Sequence, residues 1–250
     1  MLNAHFDYIL RLADDSLILG QRLSEWCGHA PVLEEDLALA NVALDLIGQA
    51  RLLLTHAGQI EGKGRDEDQL AFLRAEHEYH NCTLVELPNG DFAVTVMKNL
   101  LFCAYRFHCW QALLQSKDAE LAAIAAKGLK ETRYHLQHAC DWAVRLGDGT
   151  SESHARMQAA LDQLWPYTAE LFATDPVEEE MRAREIGVTS ASLHGAWEAS
   201  VLPVLEEATL AVPARTPLRS HGRQGVHSEH MGHLLAQMQY MQRAYPGMQW

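Results

Sequence analysis

A pair of metal ions bridged by carboxylates inside a helical bundle makes a fixed demand on sequence. Two helices each supply a Glu, and two others each supply Glu-x-x-His, because side chains at i and i+3 share a helix face. No Glu or Asp in this 250-residue chain has a His three positions on. A partial set is present. Glu25 follows Gln21 by one turn. Asn41, Asp45 and Gln49 stand at i, i+4 and i+8, amid Leu37, Leu39, Val42, Leu44, Leu46, Ile47, Leu52 and Leu53. A helix apolar nearly all round reads as buried, so this seam reads as buried with it. Cys103 lies further on, followed by Glu131, Tyr134, His135 and His138. The expectation is a buried polar network of Gln21, Glu25, Asn41, Asp45, Gln49, Glu131 and His135, which fixes one packing if every member is satisfied. A non-standard metal site around Glu25, Glu131, His135 and His138 stays open beside it.

Other chemistry is thinner. H-S-E-H-M-G-H, residues 227–233, has histidine spacings that zinc accepts but lacks H-E-x-x-H. Its plainer reading is a first helical turn capped by Ser228, with Glu229 near the positive end of the dipole. There is no G-x-S-x-G, P-loop or G-x-G-x-x-G. Cys27, Cys82, Cys103, Cys109 and Cys140 are odd in number and lack C-x-x-C, which suits reduced thiols in the cytoplasm. From Ala208 to Ser228 there is no Asp or Glu, while Arg215, Arg219 and Arg223 appear. In a chain of net charge −13 this island suits an anionic ligand or an acidic partner. The competing reading is a loop pinned to the protein's own acidic body.

The elements that must position these residues are helical. The patterning gives core helices at about 5–27 (ended by Gly28 and Pro31), 33–57 (closed by Gly58), 92–115 and 119–146. A further helix runs from Asp66 or Asp68 to about Leu84, and a C-terminal helical extension covers about 151–250, with helices near 152–173, 176–185, 190–210 and 228–244. No flexible linker or internal repeat stands out, so one all-α domain over 1–250 is expected. Four long helices with a long second-to-third connection match a ferritin-like bundle. No apolar run reaches the ~18 residues of a membrane span, no secretory leader precedes the first helix, and a nucleic-acid binder would need a basic face.

Several blocks then carry a resemblance: Q-R-L-S-E-W-C-G-H-A-P (21–31), L-E-E-D-L-A-L-A-N-V-A-L-D-L-I-G-Q-A-R (33–51), L-P-N-G-D-F-A (87–93), K-E-T-R-Y-H (130–135), G-V-H-S-E-H-M-G-H-L-L-A-Q-M-Q-Y-M-Q-R (225–243) and P-G-M-Q-W (246–250). End to end, the chain resembles the non-catalytic ferritin-like subunits of bacterial phenylacetyl-CoA 1,2-epoxidases, multicomponent ring oxygenases. The resemblance implies a structural subunit with no catalytic residue, metal or cofactor of its own. It implies a partner subunit that carries di-iron on the same fold, pairing as a heterodimer and then a larger assembly. A reductase subunit would draw electrons from NADPH, and phenylacetyl-CoA would bind near the interface, where Arg215, Arg219 and Arg223 are candidate contacts. Laid over the catalytic pattern, the ligand positions become Glu25, Leu46, Gln49, Cys103, Thr132 and His135, a relic of a metal site. An independent ferritin-like metalloenzyme and a helical scaffold of some other complex are the alternatives.

Overall fold

Side-chain caps set where half of the described α-helices begin. In the computed structural model, which describes residues 3–214 and 220–248, Asn3 Oδ1 accepts from the His5 and Phe6 N–H groups and opens α1 (Ala4–Ser24). α2 (Leu33–Glu61) has Val32 at its N-cap and no side-chain cap; three acids fill its first turn, and Asp36 reaches back to accept from the Gly28 N–H at 2.7 Å. Asp66 and Gln69 form a capping box on α3 (Glu67–Phe72). After α4 (Thr83–Glu86), Asp91 caps α5 (Phe92–Leu113), and Asp118 caps α6 (Ala119–Gly147). α7 (Ser151–Leu164), α8 (Thr168–Leu171), α9 (Pro176–Ala183), α10 (His194–Glu207), α11 (Glu229–Met238) and α12 (Tyr240–Ala244) complete the series. Among the described residues the only β-type pairing is an isolated bridge between His221 and Val226. The all-α expectation holds.

The chain divides into two compact units where the sequence reading has one domain. The first is Met1–Pro88 with Ser220–Trp250, and the second is Asn89–Arg219. Each is built on a long antiparallel helix pair. In the first unit α1 lies along α2, with His5 beside His56 at one end. Gly20 faces Ala43, Leu46 and Ile47, so close that an added Cβ would sit 3.0 Å from Ile47. Ile9, Ile18, Leu19, Leu39, Leu46 and Leu53 are buried there, at roughly 1.5–3 kcal/mol for each such side chain. α4 and α11 pack on α1. In the second unit α5 lies along α6, with Phe92 edge-on to Trp142 at one end and Trp110 against Gly128 toward the other. α7 and α10 cover this pair, and Trp197 donates its indole N–H to the Leu101 carbonyl at 2.9 Å.

Three boundaries differ from expectation for identifiable reasons. α2 continues through Gly58 and closes at Gly62, which takes the left-handed conformation (φ 69°). Gly58 is instead a contact glycine, since a Cβ there would meet the Arg65 carbonyl at 2.3 Å. The helix expected from Asp66 to Leu84 breaks at Leu73 and resumes only at Thr83. Carboxylates of α1 take backbone donors of the intervening run, which holds a 3-10 turn at Glu76–Glu78: Asp14 accepts from the His80 N–H and Asp15 from the Cys82 N–H, both at 2.8 Å. The 152–173 helix is interrupted after Leu164 by a 3-10 turn, Trp165–Tyr167, that holds Pro166.

α2 is less buried than its composition suggests. Leu33, Leu37, Leu44 and Leu52 are exposed, Leu44 at 66%. The helix is long and apolar enough to cross a membrane by length and composition, although its sequence holds no unbroken apolar run. Its other face is packed on α1.

Candidate functional site

The seam residues fare differently from one another. In the first unit, Glu25 is the C-cap of α1 and is exposed; its carboxylate accepts from Arg22 Nη1 at 2.7 Å. Arg22 is itself buried, with Nε donating to the Glu86 carbonyl at 2.9 Å. Gln21 and Asp45 are half-buried and Asn41 is exposed, while Leu46 and Gln49 are buried, Gln49 at 1%. A wholly buried polar network was expected here. Asn41 and Glu25 instead reach solvent, because α2 buries one stripe rather than its whole circumference.

In the second unit helical phase separates residues that sequence grouped together. Gly128, Thr132, His135, Ala139 and Ala143 form the buried stripe of α6. Glu131, Tyr134 and His138 lie on the neighbouring face. Glu131 takes the Lys127 ammonium one turn back, and the exposed Tyr134 stacks on His138. Glu131 is therefore a partly exposed ion-pair member rather than part of a buried network with His135. On α5 the Cys103 thiol is buried, and burial, with the nearby Cys140, pushes its pKa up to about 12. Its sulfur is a soft donor, unlike the carboxylate oxygens that bridge a di-iron pair.

A di-iron centre does not fit these donors. Leu46 has no donor atom, Gln49 and Thr132 are neutral, Cys103 offers sulfur where a carboxylate is needed, and Glu25 is engaged by a guanidinium. His135 is the remaining good ligand type, and one imidazole does not hold a carboxylate-bridged pair.

The histidine cluster does not converge either. His233 is exposed, His230 lies beside its neighbour Glu229, and His227 turns inward. Ser228 caps α11 by position only; its N–H donates to Glu86 Oε1 at 2.6 Å. Arg223 is buried against Asp15, with Nη1 and Nη2 donating to the two carboxylate oxygens at 3.0 and 2.8 Å. It pins its loop to the protein body, the plainer of the two readings given for the basic island. Arg215 and Arg219 lie outside the described residues.

What sequence reasoning missed is a second, fully formed polar cluster in the first unit. Asp14 and Asp15 sit mid-helix with no exposed surface. Arg74 clamps Asp14 with both terminal nitrogens, caps the Leu70 and Glu78 carbonyls, and lies 4.0 Å from the Tyr79 ring centre. Burial pushes the Tyr79 phenol up to about 12, and Gln239 bonds to its oxygen at 2.8 Å. The available signal was two adjacent aspartates inside L-A-D-D-S-L-I-L (residues 12–19). Both must be neutralised there, because the stretch is apolar on either side of them.

The model of the family described as phenylacetic acid catabolic protein matches residues 1–250. A curated relative from Escherichia coli (strain K12), the C subunit of 1,2-phenylacetyl-CoA epoxidase, is 49% identical over 243 residues, 97% of this chain and 98% of the relative. The family's fold is ferritin-like and all-α, as the helices here are. A match that runs the whole length, on a helical frame of the right class, places this chain in the phenylacetic acid catabolic protein family.

Proposed function

We propose that this chain is the structural, non-catalytic subunit of a cytoplasmic phenylacetyl-CoA 1,2-epoxidase. It pairs with a related subunit that carries the di-iron centre and stabilises it. The complex places one atom of O2 across the aromatic ring of phenylacetyl-CoA. The other atom leaves as water, with two electrons drawn from NADPH through a reductase subunit. The observation that carries this reading is the absence of any Glu-x-x-His in the sequence; laid over the catalytic pattern by resemblance, the ligand positions hold Leu46, Gln49, Cys103 and Thr132, with Glu25 and His135 alone of ligand type. The relative's name supplies the reaction.

A pairing role has its own support. Leu33, Leu37, Leu44 and Leu52 line the outward side of α2, an apolar face that a lone soluble chain has no use for and that an obligate partner would bury. The test is co-expression with the catalytic subunit. The expected result is a co-purifying pair whose epoxidase activity, given reductase and NADPH, is lost with the catalytic subunit's ligands and kept when His135 here becomes Ala. Activity from this chain alone, or loss of iron from the complex in His135→Ala, would overturn the reading.

A further inference from the structure

The 220–228 segment is tied into the first unit at two buried points and shaped by two glycines. Arg223 fills the pocket beside Asp15 and also donates to the His80 carbonyl at 3.1 Å. Four residues on, His227 lies between two acceptors. Nδ1 is 2.7 Å from Glu86 Oε2 and Nε2 is 2.9 Å from the Tyr79 carbonyl oxygen. A carbonyl oxygen cannot donate, so Nε2 must carry a proton. The Glu86 carboxyl group also receives the Asn81 amide at 2.8 Å and the Ser228 N–H at 2.6 Å. The proton between Glu86 and Nδ1 resides on the ring, because imidazole is the stronger base by about two pKa units. His227 is then a doubly protonated cation, and both side chains of the pair are fully buried. Gly222 and Gly225 make this seat possible: a Cβ would fall 2.3 Å from the Asn81 carbonyl and 2.2 Å from the His77 carbonyl, respectively.

We propose that the 220–228 segment is a strap, latched by the His227 imidazolium on Glu86, and that loss of the ring proton frees the strap and the α11 helix that follows it. The groups facing His227 are the Glu86 carboxylate of α4, Glu76 on the 3-10 turn, the carbonyl of Tyr79, and His80. Arg22 of α1 and the Asn81 amide hold Glu86 itself. Burial, the largest single effect, lowers the His227 pKa, but the hydrogen bond and charge of Glu86, the Tyr79 carbonyl and the charge of Glu76 together leave it raised. His80 shifts the opposite way, lowered by burial, which disfavours a second positive charge beside His227. Because the folded pKa lies above the ordinary value of 6.5, the latch is complete below that pH and is lost as pH rises through the folded pKa.

The test uses the full chain. Ring-nitrogen NMR of labelled histidine gives the His227 protonation state, assigned by its absence in His227→Gln. Hydrogen exchange of peptides over 220–238, corrected for the intrinsic rate at each pH, gives strap opening. The expected result is an imidazolium at pH 6 whose titration coincides with a rise of about ten-fold or more in strap opening, the weight of one charge-assisted hydrogen bond. Peptides of α5 and α6 should stay unchanged across that range. In His227→Gln the strap should be open to a similar extent at every pH, with no titration, and Glu86→Gln should move the wild-type midpoint to lower pH. A neutral His227 at pH 6, or strap exchange indifferent to its titration, overturns the proposal. Both readouts exist in the wild-type chain if a variant fails to fold.

Discussion

At the scale of single residues, the first unit concentrates buried charge, and each charge has a specific counterpart. Asp14 is held by Arg74, Asp15 by Arg223, and Glu86 by His227. Such pairs add little net stability over an apolar replacement, but removing one partner strands the other. Arg74→Met should therefore lower stability by about 3–5 kcal/mol, read as a drop in thermal midpoint. The Asp14→Asn, Arg74→Met double variant should recover part of the loss. Arg74→Lys should not rescue it, because a point charge replaces a fork that bonds a carboxylate and two carbonyls at once. Gly225 offers a separate check. Alanine there meets both a left-handed φ of 74° and the His77 carbonyl, whereas alanine at Gly28 (φ 79°) meets open space. Gly28→Ala should cost about 1 kcal/mol, the conformational penalty alone. Gly225→Ala should cost clearly more in denaturant unfolding, and equal costs would mean that the strap gives way easily. None of this cluster was predicted from sequence. Pairing partners 60 to 208 positions apart leave no local spacing to read, and only the doublet Asp14-Asp15 hinted at a need for cations.

At the scale of elements, the long helices were legible because their signals are local. Periodic apolar residues and flanking turn residues place α1, α5 and α6 within a few residues, and in the structure Asn3, Asp91 and Asp118 cap them. The 73–82 run was not legible. Its residues have helical propensity, and tertiary carboxylates override it by taking the backbone donors. The seam misled for a related reason. Composition says that α2 is apolar on every side, but it cannot say which sides are covered, and Leu44 and Asn41 prove to be outside. That exposed face carries an element-level prediction. Leu37→Asp with Leu44→Asp should leave the lone chain's stability within about 0.5 kcal/mol per site, as surface changes do. The same pair should abolish co-purification with the catalytic subunit. Leu39→Asp and Leu46→Asp, on the buried stripe, should instead unfold the chain. If the exposed pair left the complex intact, the partner would have to sit elsewhere.

At the scale of the whole molecule, the proposed supporting role turns on what a ferritin-like chain needs when it holds no metal. A chain without a metal centre has no reason to bury several carboxylates at one point. Apolar or neutral groups at Leu46, Gln49 and Thr132 spare the chain that desolvation cost. Buried charge sits instead where it closes the first unit on itself, around Asp14, Asp15 and Glu86. Such a chain can accompany a catalytic twin without competing for its iron. Elemental analysis distinguishes the two cases. Purified alone from iron-rich medium, the chain should hold less than about a tenth of an iron, given the missing Glu-x-x-His pairs. The pair with its catalytic partner should hold about two irons, one di-iron centre, where two competent ferritin-like subunits would hold about four. Four irons per pair, or stoichiometric iron in the lone chain that vanishes in the Glu25→Ala, His135→Ala double variant, would mean that Glu25 and His135 still bind metal and that this chain shares in the chemistry.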